Sequence, residues 1–411
     1  MTETMQLVEQ HLIHPADPRW GVIDAACFLS KNLYNAANYL MRQAYIFQHH
    51  YLPYAELDKL MKHNPDYCAL PRKVSQWVLK QVHHDWQAFF AAQSEWERHP
   101  EKFTGRPRLP KYKHKTAGRN LLTYTAQAVR RREFKQKGVI QPSGLAMTIL
   151  TQQTSFDQVR IVPRKTHYVV EVVYTITVPP AETVPDRVAA IDIGLNNLAT
   201  VTSNQPDFVP LLVNGRPLKA INQYYNKERA RLQSLLPEGC HSSRRLDTLT
   251  SKRNRQVNSY LHLASRRVMD TLVAHQIGTL VIGKNAGWKQ EINLGKRTNQ
   301  NFVQIPHARF IEMLTYKAQL VGIKVILTEE SYTSKCSFLD REPIGKHEAY
   351  AGKRVHRGLF RANDGRCLNA DVNGAYNIMQ KVLPNAFGNG IGGAVVHPVR
   401  LRLDKTDPLV S

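Results

Sequence analysis

Acidic side chains occur at three widely separated places where the surrounding sequence is otherwise apolar or helix-forming. They are Asp192 inside the apolar run 188–193, Glu329 and Glu330 after the apolar stretch 323–328, and Asp371 at the start of segment 369–377. A carboxylate in a buried run is costly unless it is paired or bound to a cation. Acids from distant parts of one chain therefore suggest a shared cation site.

The chemistry that suits such a set is metal-assisted phosphodiester hydrolysis. Magnesium prefers oxygen ligands, and two magnesium ions about 4 Å apart would activate the attacking water and neutralise the leaving oxygen. We expect Asp192, one of Glu329 and Glu330, and Asp371 to be both the metal ligands and the catalytic residues. The sequence leaves simpler interpretations open, because Asp192 can cap the turn that follows it and Asp371 can cap a helix.

The charge of the chain indicates a polyanionic partner. The 411 residues carry a net charge of +23, which favours nucleic acid. Residues 101–137 contain 12 Lys or Arg and two acids, and prolines 107 and 110 break any membrane-binding helix there. We expect the basic side chains of this segment to contact phosphates rather than bases. Those assigned to nucleic-acid binding are Arg106, Arg108, Lys111, Lys113 and Arg119.

Two further groups are candidate nucleic-acid contacts. Ser75, Gln76 and Lys80 lie on the polar face of the helix predicted after Pro71. Trp288 and Lys289 lie in a polar loop, where the tryptophan can equally be packed.

Cysteine usage and hydropathy favour an intracellular protein. The five cysteines are scattered and odd in number, which argues against a disulfide framework. No apolar run is long enough to cross a membrane, and the N-terminus lacks the pattern of a signal peptide. The expected location is the cytosol, without a membrane partner.

The periodicity divides the chain into a helical region, a strand-rich region and a mixed region. Residues 24–90 show helical spacing, while 145–150, 158–162 and 168–178 alternate as strands of a small β-barrel or sandwich. From residue 188 the order is strand, strand, helix, strand, which predicts a mixed sheet covered by helices. The tail after residue 387 is rich in glycine and is expected to be poorly ordered.

The motifs around the acids resemble one nuclease family. Segments 191–198 (IDIGLNNL), 331–334 (SYTS) and 369–378 (NADVNGAYNI) resemble the RuvC-type domain of TnpB, a transposon-encoded RNA-guided DNA endonuclease related to type V CRISPR effectors. The basic stretch 105–113 (GRPRLPKYK) also resembles that family. The order of these motifs along the chain is the order expected for the family.

The resemblance implies a multidomain α+β and α/β protein in which a helical recognition lobe is inserted into a β-barrel wedge domain, followed by an RNase H-like (RuvC) domain with a small late insertion. The implied domains are a first wedge strand at 1–15, recognition helices at 16–100, the wedge barrel at 101–184, the first nuclease segment at 185–335, a target-nucleic-acid-binding insertion at 336–367, the second nuclease segment at 368–388, and a flexible tail at 389–411.

One departure concerns the second acid of the family. A glutamate is expected at the end of the strand 279–282, where this chain has Gly283, and Glu291 lies further on in a loop. We hypothesise that the acid has moved to the adjacent strand end. Successive strand residues face opposite sides, so only one of Glu329 and Glu330 should enter the site. We favour Glu330, with Glu329 as the alternative.

The second departure concerns zinc. The family's insertion usually carries two C-x-x-C pairs, a tetrahedral zinc signature. After Cys336, the position where a C-x-x-C pair would have its second cysteine is Leu339. Cys367 likewise has no partner cysteine at that spacing. We therefore predict that structural zinc is absent.

The function implied by the resemblance is RNA-guided, magnesium-dependent cleavage of double-stranded DNA next to a short motif, with a guide RNA from the transposon end. Base pairing between the guide RNA and the target DNA strand would then determine which sequence is cut. The alternative is a nuclease-inactive, RNA-guided DNA-binding repressor, which Gly283 favours. A strand-transfer transposase is disfavoured, because no tyrosine nucleophile with a metal-binding histidine pair is evident.

Overall fold

The chain folds into two compact units, residues 3–177 and residues 178–411. The structure, a computed structural model, describes residues 4–178, 182–285, 303–387, 394, 396–401 and 403. Within these residues, no helix combines the length and apolar character needed to cross a membrane.

The first unit combines a helical bundle with an antiparallel sheet. Its helices are α1 Trp20–Gln48, α2 Tyr54–Met61, α3 Pro65–Cys68, α4 Arg72–Arg98 and α5 Arg131–Lys137. Its strands are β1 Thr4–Ile13, β2 Leu122–Thr125, β3 Val139–Ile140, β4 Ile149–Leu150, β5 Gln158–Pro163 and β6 Tyr168–Thr177. The main sheet has the order β1-β6-β5-β2, and β3 pairs with β4 separately.

The two long helices of this unit bury the apolar stripes that their periodicity predicts. Leu33, Ala37 and Met41 recur every four residues on α1 and are fully buried, as helical geometry requires. Trp86 of α4 is also fully buried, and its indole nitrogen donates to the Asn38 side chain over 2.9 Å. Trp86 therefore belongs to the core of the bundle, together with Tyr34 and Tyr67.

The basic segment that follows α4 is held in an extended form along α1. Asn35 exchanges two hydrogen bonds with the backbone of Lys113, at 2.9 and 2.8 Å. Asn38 and Arg42 both donate to the carbonyl of Pro110. These bonds satisfy backbone groups that lack a sheet partner, so the segment is fixed on the helix.

A half-buried ion pair ties the end of this segment to the sheet. Arg119 donates to both carboxylate oxygens of Asp24, at 2.8 and 2.7 Å, and the Tyr168 hydroxyl donates to the same carboxylate at 2.6 Å. The hydrogen bonds from Arg119 are the main reason that the pKa of Asp24 is lowered.

Replacing Asp24 with Asn should destabilise the protein by roughly 1–3 kcal/mol at pH 7, the range for charged hydrogen bonds. A carboxyl whose folded pKa is depressed stabilises the fold above its unfolded pKa and loses that contribution as the pH falls through the folded pKa. Urea unfolding at pH 7 and pH 3 should therefore show a smaller difference from wild type at pH 3. Glu101→Gln, at an exposed site, is the control and should show no such trend.

The second unit contains a six-stranded mixed sheet and a small three-stranded sheet. Its strands are β7 Val184–Ile193, β8 Asn197–Ser203, β9 Leu211–Asn214, β10 Ile277–Gly283, β11 Lys324–Thr328, β12 Lys353–His356, β13 Leu359–Arg361, β14 Cys367–Asn369 and β15 Val399–Leu401. Its described helices are α6 Arg216–Ser234, α7 Arg244–Ala274, α8 His307–Leu320 and α9 Ala370–Val382.

The large sheet has the order β11-β10-β7-β8-β9-β15. Strands β7, β8 and β9 form an antiparallel meander, whereas β10 and β11 run parallel to β7. The apolar faces of α7 and α8 pack on one side of the sheet with Ala189 and Ile191. On the other side, Ile378 and Met379 of α9 pack against Ala190. The mixed sheet covered by helices is therefore as predicted.

Three sequence expectations need correction. Strands β2, β5 and β6 join β1 in an open four-stranded sheet while β3 and β4 pair separately, so the described strands of residues 101–177 do not form a closed barrel. The strand expected over 145–150 is restricted to β4, since Gly144 adopts a left-handed φ of 74° and Leu145 closes a turn onto Pro142. Within the tail that was expected to be poorly ordered, Val399–Leu401 form β15, which pairs with β9 in a parallel arrangement.

Candidate active site

The alternation of β7 decides where its aspartate points. Side chains of successive strand residues face opposite sides, and Ala189, Ile191 and Ile193 pack toward α7 and α8. Val188 and Ala190 pack toward α9. Asp192 shares the parity of this second pair, so its carboxylate faces α9.

Helix α9 approaches this carboxylate at a glycine. A Cβ on Gly374 would lie 2.9 Å from Oδ2 of Asp192, closer than real Cβ contacts allow. The glycine therefore lets the helix come close to the acid, and any larger residue would push one of them away. The glycine of the motif NADVNGAYNI thus has a steric role that the sequence alone did not reveal.

The first turn of α9 leaves Asp371 available for other contacts. The Asn369 side chain accepts the backbone N–H groups of Asp371 and Val372, at 2.9 and 3.2 Å. Asn369 is therefore the N-cap, and the alternative that Asp371 caps the helix is wrong. Asp371 instead accepts from the Asn197 amide at 2.8 Å and from the Arg354 guanidinium at 3.1 Å.

Glu330 reaches the same face of the sheet from a neighbouring strand. It lies two residues after the end of β11, and its N–H donates to the Asn285 side chain at 3.0 Å. A Cβ at Gly283 would lie 2.8 Å from Oε2 of Glu330 and 2.7 Å from Cδ1 of Ile378. The Glu330 carboxylate thus occupies the space that a side chain at position 283 would fill.

Glu329 is in a different environment. It is exposed, and its carboxylate accepts from Lys381 at 2.8 Å and from the N–H of Ser331 at 2.9 Å. The hydrogen bond with Lys381 is the main reason that its pKa is lowered. Glu329 is thus a surface ion-pair partner, and of the two glutamates it is Glu330 that faces Gly283.

The electrostatics of the three acids suit a bound cation. Burial raises the pKa of Asp192 well above its usual range, and the charges of Glu330 and Asp371 add to this effect while Arg354 opposes it. Burial and the neighbouring Glu329 raise the pKa of Glu330 to about 7. The anionic forms of Asp192 and Glu330 are thus destabilised, and a cation beside them would relieve the effects of burial and repulsion.

The residues fit magnesium in their chemistry, although their present contacts are not those of a formed site. Oε1 of Glu330 is buried without a hydrogen-bond partner in the structure, and all three acids offer the oxygen donors that Mg²⁺ prefers. Among the described residues, no three His, Cys, Asp or Glu side chains are grouped closely enough to hold a metal ion. Asp371 is engaged in an ion pair with Arg354, and this ion pair would have to break for Asp371 to bind a metal ion.

Two asparagines of α9 hold the loop after Glu330. Asn373 donates to the carbonyl of Cys336 and accepts from the N–H of Phe338, at 2.8 and 2.9 Å. Asn377 donates to the carbonyls of Thr333 and Cys336, at 2.8 and 2.7 Å. Asn373 and Asn377 were not singled out from the sequence, although their i, i+4 spacing puts them on one face of the helix.

The cysteines of the late insertion are in unlike surroundings. Cys336 is buried, and its thiol contacts the carbonyls of Pro343 and Gly345 at 3.5 and 3.6 Å. Cys367 is exposed, and its thiol contacts the carbonyl of Gly365. The absence of structural zinc stays a prediction.

A cleft of about 720 Å³ opens beside Asp192 and Asp371. Its basic lining was not recognised from the sequence, since these side chains come from separate segments of the chain: Arg216, Arg354, His356, Arg357 and Arg400. Arginine is well suited to phosphate recognition because its fork of donors matches phosphate oxygens. The cleft therefore combines two of the candidate metal-binding acids with groups that can bind a polyanion.

The predicted nucleic-acid contacts of the basic segment differ in exposure. Arg106, Arg108 and Lys111 are exposed, and the ammonium of Lys113 lies 4.6 Å from the centre of the Tyr34 ring. Arg119 forms an ion pair with Asp24. Its guanidinium therefore stabilises the fold and is not free to contact a phosphate. The role of the exposed residues stays a prediction.

The helix that starts after Pro71 corrects one further assignment. Ser75 is fully buried and donates to the carbonyl of Tyr67 at 2.7 Å, so the prediction that it contacts nucleic acid is wrong. Gln76 is partly exposed, and the Lys80 ammonium lies 4.9 Å from the Trp77 ring centre. Both stay candidates. Trp288 and Lys289 lie outside the described residues.

Asn197→Ala should lower any metal-dependent activity of this cleft by about 10–100-fold, the usual cost of removing a group that orients a metal ligand. The Asn197 amide fixes Oδ2 of Asp371, and its loss leaves that oxygen free to rotate. A rise in the magnesium concentration needed for half-maximal activity is the measurement. Asn254→Ala, at an exposed position on α7, is the control, and an equal effect there would contradict a specific role for Asn197.

Comparisons with known proteins agree with the motif assignment. Residues 171–289 match the family model OrfB_IS605, described as a probable transposase, and residues 307–378 match the model described as Cas12f1-like, TNB domain. The resemblance to TnpB-type proteins that the motifs predicted is therefore confirmed.

Curated relatives match over about half of this chain. The TnpB-like protein ORF457 of Acidianus two-tailed virus is 28% identical over 48% of this chain and 42% of its own length. The CRISPR-associated endodeoxyribonuclease Cas12f2 of Micrarchaeota archaeon (strain CG1_02_47_40) is 25% identical over 47% of this chain and 37% of its own length. The matched regions thus span less than half the length of these relatives.

Alignments with solved structures have low sequence identity. A Cas12f1–sgRNA–target DNA complex aligns at a TM-score of 0.39 and 12% identity, covering 92% of this chain and 100% of that chain. The mini-RNA-guided endonuclease CRISPR-Cas_phi3 aligns at a TM-score of 0.45 and 9% identity, covering 96% and 94%.

Proposed function

We propose that this TnpB-type chain is an RNA-guided DNA endonuclease whose second catalytic acid is Glu330. The observation that carries the proposal is the position of the Glu330 carboxylate in the space beside Gly283, on the sheet face that carries Asp192. The expected glutamate is missing from the sequence at position 283. A carboxylate from the adjacent strand end supplies its chemistry at nearly the same place.

In this proposal Asp192, Glu330 and Asp371 hold magnesium in an RNase H-like domain built on the mixed sheet of the second unit. Two bound magnesium ions would supply an activated water and neutralise the leaving oxygen. Asn197 keeps the Asp371 carboxylate oriented. The arginines of the cleft hold the phosphate backbone, and Arg354 is released to the substrate once its pair with Asp371 opens.

The proposed partners are a guide RNA from the transposon end and a double-stranded DNA target. The charge of +23 and the exposed residues of the basic segment support a polynucleotide partner. Guide pairing would select the sequence, while the protein holds the heteroduplex by its backbone. RNA that copurifies with the protein, once sequenced, identifies the guide.

The test is plasmid cleavage by the purified ribonucleoprotein, with a target and its adjacent motif, with and without magnesium. Glu330→Gln should abolish linearisation, because Gln cannot supply the negative charge. Glu329→Gln is the matched control and should retain the rate within about threefold, since exposed ion pairs contribute little. Cleavage that persists in the Glu329→Gln, Glu330→Gln double variant would reject the relocated acid.

The alternative function is a nuclease-inactive repressor, and the glycine at position 283 is the feature that favours it. Target binding without linearisation in magnesium would establish this alternative. The pKa of Glu330, raised by burial, favours the nuclease, because a buried acid without a ligand costs stability.

A further inference from the structure

The strand β15 carries a basic residue into the cleft from a region of the chain that the motifs do not cover. Asp192 is paired with Thr200 on β8, Thr200 with Leu212 on β9, and Leu212 with Arg400 on β15. Residues paired directly across a sheet project from the same face. Arg400 is therefore the far end of a row that begins at the candidate metal ligand.

The register sets the distance between the two ends of the row. Neighbouring strands lie about 4.8 Å apart, so three steps put the Cα atoms of Asp192 and Arg400 about 14 Å apart. Leu401 points to the other side of the sheet and packs with the core under β9. This packing, together with the bond from the N–H of Val399 to the carbonyl of Pro210 at 2.9 Å, fixes Arg400 toward the cleft.

A second arginine that has no partner in the part of the chain that the structure describes also lines the cleft. Arg216 begins α6, directly after β9, and lines the cleft together with Leu212 and Arg400. Both arginines are exposed. Within the described residues of the chain, neither guanidinium has a hydrogen-bond or ion-pair partner, in contrast to Arg354, which is paired with Asp371.

We propose that Arg216 and Arg400 form a phosphate-binding site for the DNA strand that enters the cleft. In this proposal the role of β15 is to position Arg400 in that site. The three-strand separation of Arg400 from Asp192 favours a phosphate beside the one cleaved over the scissile phosphate itself. The two arginines are thus positioning residues. The inference rests on the proposed nuclease function for the identity of the strand, but the binding itself does not require cleavage.

Fluorescence anisotropy with the full-length protein, a labelled oligothymidylate of about twelve nucleotides and EDTA tests the site without hydrolysis. For single strands, each phosphate contact contributes about 0.7 to the slope of log K against log salt concentration. Arg216→Gln and Arg400→Gln should each weaken binding by roughly fivefold at about 0.1 M salt and lower the slope by about 0.7. The double variant should lose about 25-fold, and Arg400→Lys should keep most of the salt slope.

The matched control is Arg231→Gln on the same helix α6, where the arginine is exposed and paired with Glu228. Thermal unfolding should be unchanged in all variants, because these are surface positions. Equal affinity and slope for the double variant and the control would overturn the site. A binding loss in a protein that never cleaves its target would support the site and reject the nuclease function.

Discussion

Gly283→Ala should reduce target cleavage by about 100-fold although it removes no acid. The added Cβ would lie 2.8 Å from Oε2 of Glu330 and 2.7 Å from Cδ1 of Ile378. Both neighbours are the ends of flexible side chains, so the fold can accommodate the methyl group while the carboxylate moves. A misplacement of about 1 Å in a catalytic group can cost this much in rate.

A swap of the two positions separates a catalytic defect from a packing defect. Glu330→Gly should be inactive, whereas Gly283→Glu combined with Glu330→Gly should recover a fraction of the rate, because the acid then approaches the same point from β10. Gly283→Glu alone should be inactive, since two carboxylates compete for one space. The readout is the rate of plasmid linearisation, with unfolding measured in parallel.

Wild-type cleavage by Gly283→Ala would contradict the prediction, because it would mean that Glu330 need not occupy this space. Recovery in the swap would identify the carboxylate at this point, and not its place in the chain, as the requirement. Gly21→Ala is a control for the substitution itself, since a Cβ there has no neighbour within 4 Å.

Asp192→Asn should abolish cleavage and at the same time stabilise the metal-free protein. Loss of one metal ligand removes several kcal/mol of transition-state charge stabilisation, which corresponds to a rate loss of about 10³-fold or more. Asp192 is destabilised in the apo fold by burial and by the charges of Glu330 and Asp371. Removing its charge should therefore stabilise the second unit by about 1 kcal/mol. Gains of this size are usual when a substitution in an active site increases stability at the cost of activity.

Thermal unfolding with and without magnesium measures both effects. The metal-free variant should melt about 2–4 °C above wild type, the shift expected for about 1 kcal/mol in a unit of this size. Magnesium should raise the melting temperature of wild type by preferential binding to the folded state, and should have little effect on the variant. Asp186→Asn, an exposed position on the same strand, is the control for both measurements. A lower melting temperature for metal-free Asp192→Asn would contradict the proposed repulsion.

The sequence by itself determined the acids and most of the elements that carry them. The apolar runs of β7, β10 and β11 and the stripes of α7 and α9 are local patterns, because side-chain periodicity depends only on the element's own geometry. The alternation along β7 even determined the face that Asp192 shares with Ala190. The family resemblance, carried by short motifs, was also readable without a structure.

Tertiary structure decided which groups meet. That Glu330, and not Glu329, lies beside Gly283 depends on the turn after β11 and on the approach of Ile378 from α9. Asn369 is the N-cap of its helix, which leaves the Asp371 side chain free for other contacts. The sequence alone does not show which of these two residues is the cap. The burial of Ser75 likewise depends on its contact with the carbonyl of Tyr67 in the preceding helix α3.

The C-terminal strand shows the same limit most clearly. Residues 399–401 have no periodicity long enough to predict a strand, and their pairing with β9 joins segments almost 190 positions apart. Such contacts depend on the folded sheet offering an unpaired edge, whose backbone groups a short segment can satisfy. Arg400 thereby reaches a cleft built around Asp192, and no local pattern in the chain relates these two residues.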